Sequence, residues 1–452
     1  MFIIGDVVAR YTRKRWRNVF FPIATHYSGN TAHRIAKAFA SFYSKDQQTT
    51  EEEKKLVNLY KKIYRVPSGI LQSFIEPMNI LNFYNQESLW ELKMLDVSGD
   101  YEYSYTTWHE DFPIFINKII SVYKKNGLLV QNKNNELALN YDDALWKKKL
   151  IDLVDRTEFI QPFHKNNILS AMQHIRNDWW FLRDDGFGVI YENEWIIDPM
   201  FDSELFTIFD LYIRFQRESS DKFSPQEVFD NLFEVLNWKG VPENVVVQNI
   251  VDWLPCDTFV CEEHLKNWAI KKLYAECSVL DEKYQTRKYF VLGMWRLDGT
   301  RMSASRGTAI LANDLVNMYG STKARLIILM CGGHPSKEYE YDKWSPEQAD
   351  KLLNNFINYY TYLVSIANNE ISWIEKGDES SDAESFWIIN SNLEEIVSKW
   401  HYRQAIVELL SVLPSKYQNP SQNEAKLLMS LYEDFLNIFL PSLLKGFSKQ
   451  IN

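Results

Sequence analysis

Cysteine, glycine and proline are all scarce in this 452-residue chain, at 4, 16 and 14. The cysteines, at positions 256, 261, 277 and 331, form no CxxC pair and have no histidine at zinc-like spacing. Neither a disulfide framework nor a structural zinc site is expected, and reduced thiols in a cytoplasmic protein are. So little Gly and Pro leaves too few tight turns for an all-β protein, and favours long helices with short connections. No run of about 18 apolar residues occurs, so no membrane span is expected. The apolar stretch at residues 1–9 is interrupted by Asp6 and followed by basic residues, the reverse of a secretory signal. Positive charge is not in excess either. The net charge of −10 suits no nonspecific polyanion binder, although local patches, not the sum, decide nucleic-acid binding.

What is abundant is aromatic residues: 15 Trp, 25 Tyr and 27 Phe. They supply large cores for roughly two to four domains. Residues 1–17 read as a helix with Ile3, Val7, Val8 and Tyr11 on one face, and 18–23 as a short buried strand. Residues 50–65, 111–126 and 142–155 read as helices, the last two with Asp111 and Asp142 as N-caps. The stretch 178–215 is dense in Trp and Phe and is broken by a turn at Gly186-Phe187-Gly188. A helix at 262–276, a strand at 288–295 and helices at 313–319 and 325–330 follow. Beyond 345 the pattern is helical, at 345–367, 391–412 and 422–446, with a polar acidic loop at 377–385. Strand and helix alternate at both ends of a large insertion. The expected class is therefore α/β: a split Rossmann-type parallel sheet followed by an α-helical bundle. On that reading 18–23 and 288–295 belong to one five-stranded parallel sheet, with 301–307 in a loop at its rim.

The sharpest local signal is Leu297-Asp298-Gly299-Thr300-Arg301-Met302-Ser303-Ala304-Ser305-Arg306-Gly307. Serine hydroxyls, backbone N–H groups and two guanidiniums on a flexible glycine-bounded loop suit a polyphosphate. An ordinary polar loop is the alternative. The string resembles the KMSKS signature of class I aminoacyl-tRNA synthetases, and Asp314-Leu315-Val316 with Tyr319-Gly320-Ser321, then Ala324-Arg325-Leu326, resemble that family's "DLVxxYGAD" and "ALRL". A second block, Asp178-Trp179, Arg183, Gly186-Phe187-Gly188 and Trp195-Ile196-Ile197-Asp198-Pro199-Met200-Phe201-Asp202-Ser203, resembles "DWxxSRxxGxG…WIIEPLSDS" of archaeal and eukaryotic leucyl-tRNA synthetases. A third, from Gly5-Asp6-Val7 to His26-Tyr27-Ser28-Gly29, resembles "GDVxARYxRxxGxNVLFPxxxHxTG". Arg13 and Arg17 in it read as a solvated basic face. A weaker fourth, Cys261 to Trp268, resembles "GKDLIxNH", and Tyr402-Arg403-Gln404-Ala405 and Phe439-Leu440-Pro441 resemble segments of the anticodon-binding bundle.

The resemblance implies a leucyl-tRNA synthetase-like chain without an editing domain. Residues 1–45 and 241–335 would be the halves of the catalytic domain, 46–240 a mostly helical inserted region, and 336–452 a helical bundle. ATP, with Mg2+ accompanying it, an amino acid and tRNA or another acceptor would be its partners, the oligomeric state being left open. Arg301, Ser303, Ser305 and Arg306 would act on the pyrophosphate; Glu263, Asn267, Met302 and Gly307 would hold ATP; His26, Ser28 and Gly29 would hold the amino acid. The chain also departs from the pattern. Ala304 replaces the second lysine of the signature and Arg301 the first, Cys261 replaces a glycine, Trp268 a histidine, and the HIGH motif is expected just upstream of Gly5. The editing insertion is expected near 139–165, where the text continues unbroken. The alternative reading is a catalytically degenerate paralogue that binds tRNA, aminoacyl-tRNA or a partner protein.

Overall fold

A computed structural model describes residues 1–44, 49–175, 178–219, 223–237, 245–303, 306–342, 344–368 and 379–451. Packing groups them into two compact units. One comprises Phe20–Ser88 and Gly99–Val291, the other Met1–Val19, Leu89–Ser98 and Leu292–Asn452.

In the first unit the strand Pro22–Thr25 pairs in parallel with Asp100–Thr106. A second sheet has Lys288–Leu292 between Asp257–Cys261 and Glu158–Phe159, parallel to the latter. The expectation of one five-stranded hydrogen-bonded sheet is corrected: 22–25 and 288–292 lie in different sheets. Two features of the first strand explain its short ladder. It opens on Pro22, which has no N–H to donate, and its register with the 100–106 strand slips between Pro22 and Ala24. The strand also starts later than expected. Phe20 instead packs its ring against Tyr103 and Trp253, at 5.5 and 5.8 Å between centroids. The strand at 100–106 was not expected, although the alternation of Tyr101, Tyr103 and Tyr105 with polar residues is a period-2 strand signal.

Helices cover these strands. Phe112–Lys125 and Phe206–Glu218 interlock through Phe112, Phe115 and Phe209, with ring centroids 4.9–5.8 Å apart. That is where much of the aromatic content is buried. A smaller core joins Phe39, Tyr60 and Phe74. Glu51–Asn58 begins with a capping box, Thr50 to Glu53 and back. Asp143, not Asp142, caps Ala144–Arg156, its carboxylate accepting from Trp146 N at 2.7 Å. Asp111 occupies the cap position before Phe112 without a side-chain bond. It accepts from Tyr212 Oη instead.

The second unit is helical, with a small sheet of Thr300–Arg301, Trp295–Leu297 and Tyr339–Tyr341. The expected strand at 288–295 is therefore two strands in different sheets. Phe2–Lys14, Ala312–Met330, Trp344–Ala367, Glu379–Ser398, Gln422–Phe439 and Pro441–Ile451 are its longer helices. Phe356 meets Tyr432, and Tyr360 stacks on Phe447 at 4.2 Å. The helix at 312–330 is kinked at Gly320, φ +74°. Trp400, φ +66°, interrupts the helix expected across 391–412, and Pro441 restarts the one expected across 422–446. Of the acidic loop at 377–385, residues 379–385 are helical and 377–378 lie outside the described residues. No helix among the described residues is long and apolar enough to cross a membrane.

The node of this unit is Arg325. It is 1% exposed and pairs with Asp6, which is fully buried. It also donates to the carbonyls of Leu95, Ile438 and Phe439. Asp6 accepts in addition from Arg10 Nε at 2.9 Å and from Ser98 N and Oγ, both at 2.6 Å. Burial pushes the Asp6 carboxyl up, but the two guanidiniums and Ser98 outweigh it and hold it below its ordinary value.

Candidate functional site

In the first unit three sequence blocks that are far apart in the chain converge. The strand Pro22–Thr25 delivers His26, and the helix Asn30–Tyr43 begins just past Gly29. Gly29 has φ +108°, a conformation a side chain would strain. Its N–H donates to Phe187 O at 2.6 Å. The turn around Phe187 comes from the small sheet of Leu182–Arg183, Ile190–Tyr191 and Trp195–Ile197. Its glycines leave room for neighbouring side chains: a Cβ on Gly188 would stand 2.8 Å from Ser28 Oγ, and one on Gly186 2.5 Å from Asn30 Oδ1. Phe187 stacks on Trp108 at 4.8 Å, which pins the turn. Tyr27, between His26 and Ser28, is committed to structure, its N–H bonded to Thr107 and its hydroxyl to Asn82.

His26 Nε2 lies 2.6 Å from Asp202 Oδ1, with the histidine side chain 36% exposed and the aspartate fully buried. Burial disfavours the charged imidazole, but the Asp202 carboxylate outweighs it, so His26 holds its proton above its ordinary range. Asp202 is itself raised, by burial first, with His26 and Ser28 pulling the other way. Its Oδ2 and the Ser28 hydroxyl are buried and make no hydrogen bond of good geometry. Asp198, one turn earlier, accepts from Arg183 and from Met200 N. Glu204 is buried, accepts from Tyr123 Oη at 3.3 Å, and is raised well above its ordinary value by burial, with Lys271 opposing. Lys271 sits 3.2 Å from the centre of the Trp179 ring and 3.6 Å from Met200 Sδ; burial lowers it to about 8. Trp268 Nε1 donates to Ser203 Oγ at 3.0 Å, tying the fourth block to the second.

Glu263 and Asn267 lie at the start of the helix that follows the strand Asp257–Cys261, both exposed. The Glu263 carboxylate is 3.6 Å from His264 Nε2. Burial raises the neighbouring Cys261 thiol.

The signature-like loop belongs to the second unit, and its entry differs from expectation. Asp298 and Gly299, at φ +48° and +76°, form a tight turn between Trp295–Leu297 and the antiparallel pair Thr300–Arg301. Arg301 is thus on a hairpin strand rather than in an open loop. Glu340 accepts from Gly299 N at 2.6 Å and Glu338 from Arg296, also at 2.6 Å. Arg301 and Arg306 are exposed. Met302 N donates to Trp295 O, and Ser303 closes the loop on Thr308 in both directions at 3.1 Å. Gly307 takes φ +68°. Ser305, with Ala304, lies outside the described residues.

Asp202, Asp198, Glu204 and Lys271 were given no role from the sequence. The signal available was three acids, at 198, 202 and 204, within an otherwise apolar and aromatic stretch.

No family model matches the chain. Among curated proteins it is similar to leucine–tRNA ligase of Methanopyrus kandleri, at 22% identity over 69% of this chain and 34% of that one. Leucine–tRNA ligase 2 of Sulfolobus acidocaldarius is 28% identical over 29% of this chain and 13% of its own length. The matches thus span about a third or less of these relatives. Among solved structures, Mycobacterium tuberculosis methionyl-tRNA synthetase in complex with methionyl-adenylate superposes with a TM-score of 0.66, covering 98% of this chain and 88% of that one at 11% identity. A second structure of that enzyme gives 0.62. The chain is leucine–tRNA ligase-like in sequence, and its fold is that of the class I aminoacyl-tRNA synthetases.

Proposed function

We propose that the chain activates an amino acid, leucine or one of similar shape, as an aminoacyl-adenylate and passes the acyl group to tRNA or another acceptor. The observation that carries this is the convergence of His26, Ser28 and Gly29 with the Gly186–188 turn and the buried Asp202. The His26–Asp202 pair presents a partly open polar edge on the histidine side, where a polar group of the amino acid could be held. Gly29 leaves the backbone open to close approach.

In the reaction the substrate carboxylate attacks the α-phosphorus of ATP, the P–O bond to the leaving pyrophosphate breaks, and adenylate forms. The protein contributes position and charge, not covalent chemistry. Arg301, Ser303, Ser305 and Arg306 would take the pyrophosphate, and Met302 and Gly307 would shape the nucleotide loop. Glu263 would accept from ribose hydroxyls, with Asn267 beside it. Among the described residues no cluster of three or more carboxylates, histidines or cysteines could cage a metal. Mg2+ would enter on the phosphates of ATP. The functional division at residues 45, 240 and 335 belongs to this reading, as does a cytoplasmic location.

The degenerate-paralogue reading draws on a specific observation. Ala304 cannot donate to a pyrophosphate and Cys261 puts a Cβ where the family pattern has glycine; each lost donor of this kind costs about 10²–10³ in rate. Amino-acid-dependent exchange of labelled pyrophosphate into ATP, run with each standard amino acid, separates the two. Exchange with one apolar amino acid, reduced at least about 100-fold by Arg301→Ala, is expected. No exchange with any of them, alongside tight tRNA binding, overturns the enzyme reading in favour of the second.

A further inference from the structure

The segment 198–204 carries three acids, Asp198, Asp202 and Glu204, and all three are buried. A carboxyl group out of water needs a partner, and each of these faces a basic group from a different element. Arg183, in the strand Leu182–Arg183, bonds Asp198. His26, just past the strand Pro22–Thr25, bonds Asp202 at 2.6 Å. Lys271, in the helix Ile270–Val279, faces Glu204 and Asp198. Its ammonium touches the segment differently from the other two. Nζ lies 3.2 Å from the centre of the Trp179 ring and donates to Met200 Sδ at 3.6 Å.

Where the segment is touched decides what the contact does. Met200 N–H donates to Asp198 Oδ1 at 2.8 Å. Next to it Pro199 packs against Gly29, where a Cβ would stand 3.4 Å from Pro199 Cγ. One helical turn before Lys271, Trp268 Nε1 donates to Ser203 Oγ at 3.0 Å, and Ser203 Oγ donates in turn to Pro199 O at 2.7 Å. Residues three apart lie on one helix face, so a single face holds the segment at Met200 and at Ser203. Asp202 lies between those two points. The backbone there is one tight turn, Asp198 O accepting from Phe201 N at 2.9 Å and from Asp202 N at 3.3 Å. A shift at either hold therefore moves the Asp202 carboxyl.

We propose that Lys271 and Trp268 are positioning residues that clamp the segment 198–204, holding Asp202 to His26 and Pro199 to Gly29. The charge of the lysine is part of the hold, because an ammonium over an indole is attracted far more strongly than a neutral amine. Burial lowers Lys271 to about 8, with Glu204 and Asp198 opposing and Arg183 adding to the fall. The ammonium is thus present at pH 7, and the clamp loosens as pH rises through about 8. The consequence for amino-acid binding rests on the adenylation reading above; the hold on His26 does not.

The first readout is the His26 titration, followed by NMR of the full chain carrying carbon-labelled histidine, with His26→Gln identifying the signal. In Lys271→Met, loss of a nearby positive charge by itself moves His26 further up. Loss of the Asp202 contact moves it down, towards its ordinary 6.5 or below, because burial then acts unopposed. A fall is expected in Lys271→Met, and the natural value in Lys271→Arg, which keeps the charge. A rise or no change in Lys271→Met overturns the proposal. Should that variant fail to fold, Trp268→Phe, which keeps a ring and loses the N–H to Ser203, is read by the same criterion. The second readout is pyrophosphate exchange. Lys271→Met should raise the amino-acid KM about tenfold with the KM for ATP unchanged. In the natural chain the amino-acid KM should climb above about pH 8, a climb absent from both Lys271 variants. Normal exchange with His26 and KM indifferent to Lys271 sinks the clamp and leaves the adenylation reading standing. Absence of exchange in every chain sinks that reading, and the His26 titration then decides the clamp alone.

Discussion

Replacing Arg325 by leucine should test most directly what holds the second unit together. The guanidinium is 1% exposed and bonds Asp6 and three carbonyls on two other chain segments. Leucine fills much of the volume but donates nothing. Three buried carbonyls left without a donor cost about 1 kcal/mol each. The buried Asp6 charge loses one of its two cations. Arg10 and Ser98 remain on it, so the charge penalty falls at or below the low end of the roughly 3–5 kcal/mol typical of a broken buried pair. A loss of about 5 kcal/mol is expected, a large part of the ordinary 5–15 kcal/mol of roughly any domain. Urea unfolding at pH 7 and pH 4.5 measures it. In the natural chain Asp6 is held below its ordinary value, so its contribution is complete above about pH 4 and is lost only as pH falls further, through the lowered folded-state value. In the variant, burial acts on Asp6 with less opposition and the carboxyl titrates higher. The loss should therefore be smaller at pH 4.5 than at pH 7. A loss under about 1 kcal/mol, or one indifferent to pH, would refute this account of the node.

Two further perturbations address the first unit. His164 is fully buried with both ring nitrogens unpaired, and burial lowers it to about 4 from 6.5. Its folded-state value is depressed, so stability is present above pH 6.5 and falls as pH drops towards 4, by up to about 3 kcal/mol. His164→Phe should remove that part of the acid sensitivity in thermal melts, and an unchanged pH profile would count against the assignment. Gly188→Ala puts a Cβ 2.8 Å from Ser28 Oγ and 3.4 Å from Ile196 Cγ2. If Ser28 serves the amino acid, its KM in pyrophosphate exchange should rise about tenfold, with little change in Tm. An unaltered KM would remove Ser28 from the site.

Several residues whose pattern carried the family resemblance act in the fold as structure. Asp6, Arg10 and Arg325, from the "GDVxARY" and "ALRL" matches, are one buried network. Gly186 and Gly188 are spaces for Asn30 and Ser28. Trp268 is a tie to Ser203. Sequence spacing cannot separate a residue kept for packing from one kept for chemistry, because both leave the same letters in the same order.

The sequence by itself determined the helical weight of the chain, the positions of most helices, the turn at 186–188 and the likeness to a synthetase, since these depend on local periodicity, on glycine and on ordered motifs. Tertiary structure alone decided that 22–25 pairs with a strand at 100–106, that 288–297 divides between two sheets, and that Arg301 ends a hairpin. Strand partners are chosen by hydrogen bonds between distant segments, and no local pattern records them. It also decided that His26 meets Asp202. Such a histidine–carboxylate contact exists only where folding excludes water from one partner and brings the other within reach, and residues 176 positions apart carry no mark of that in their neighbours.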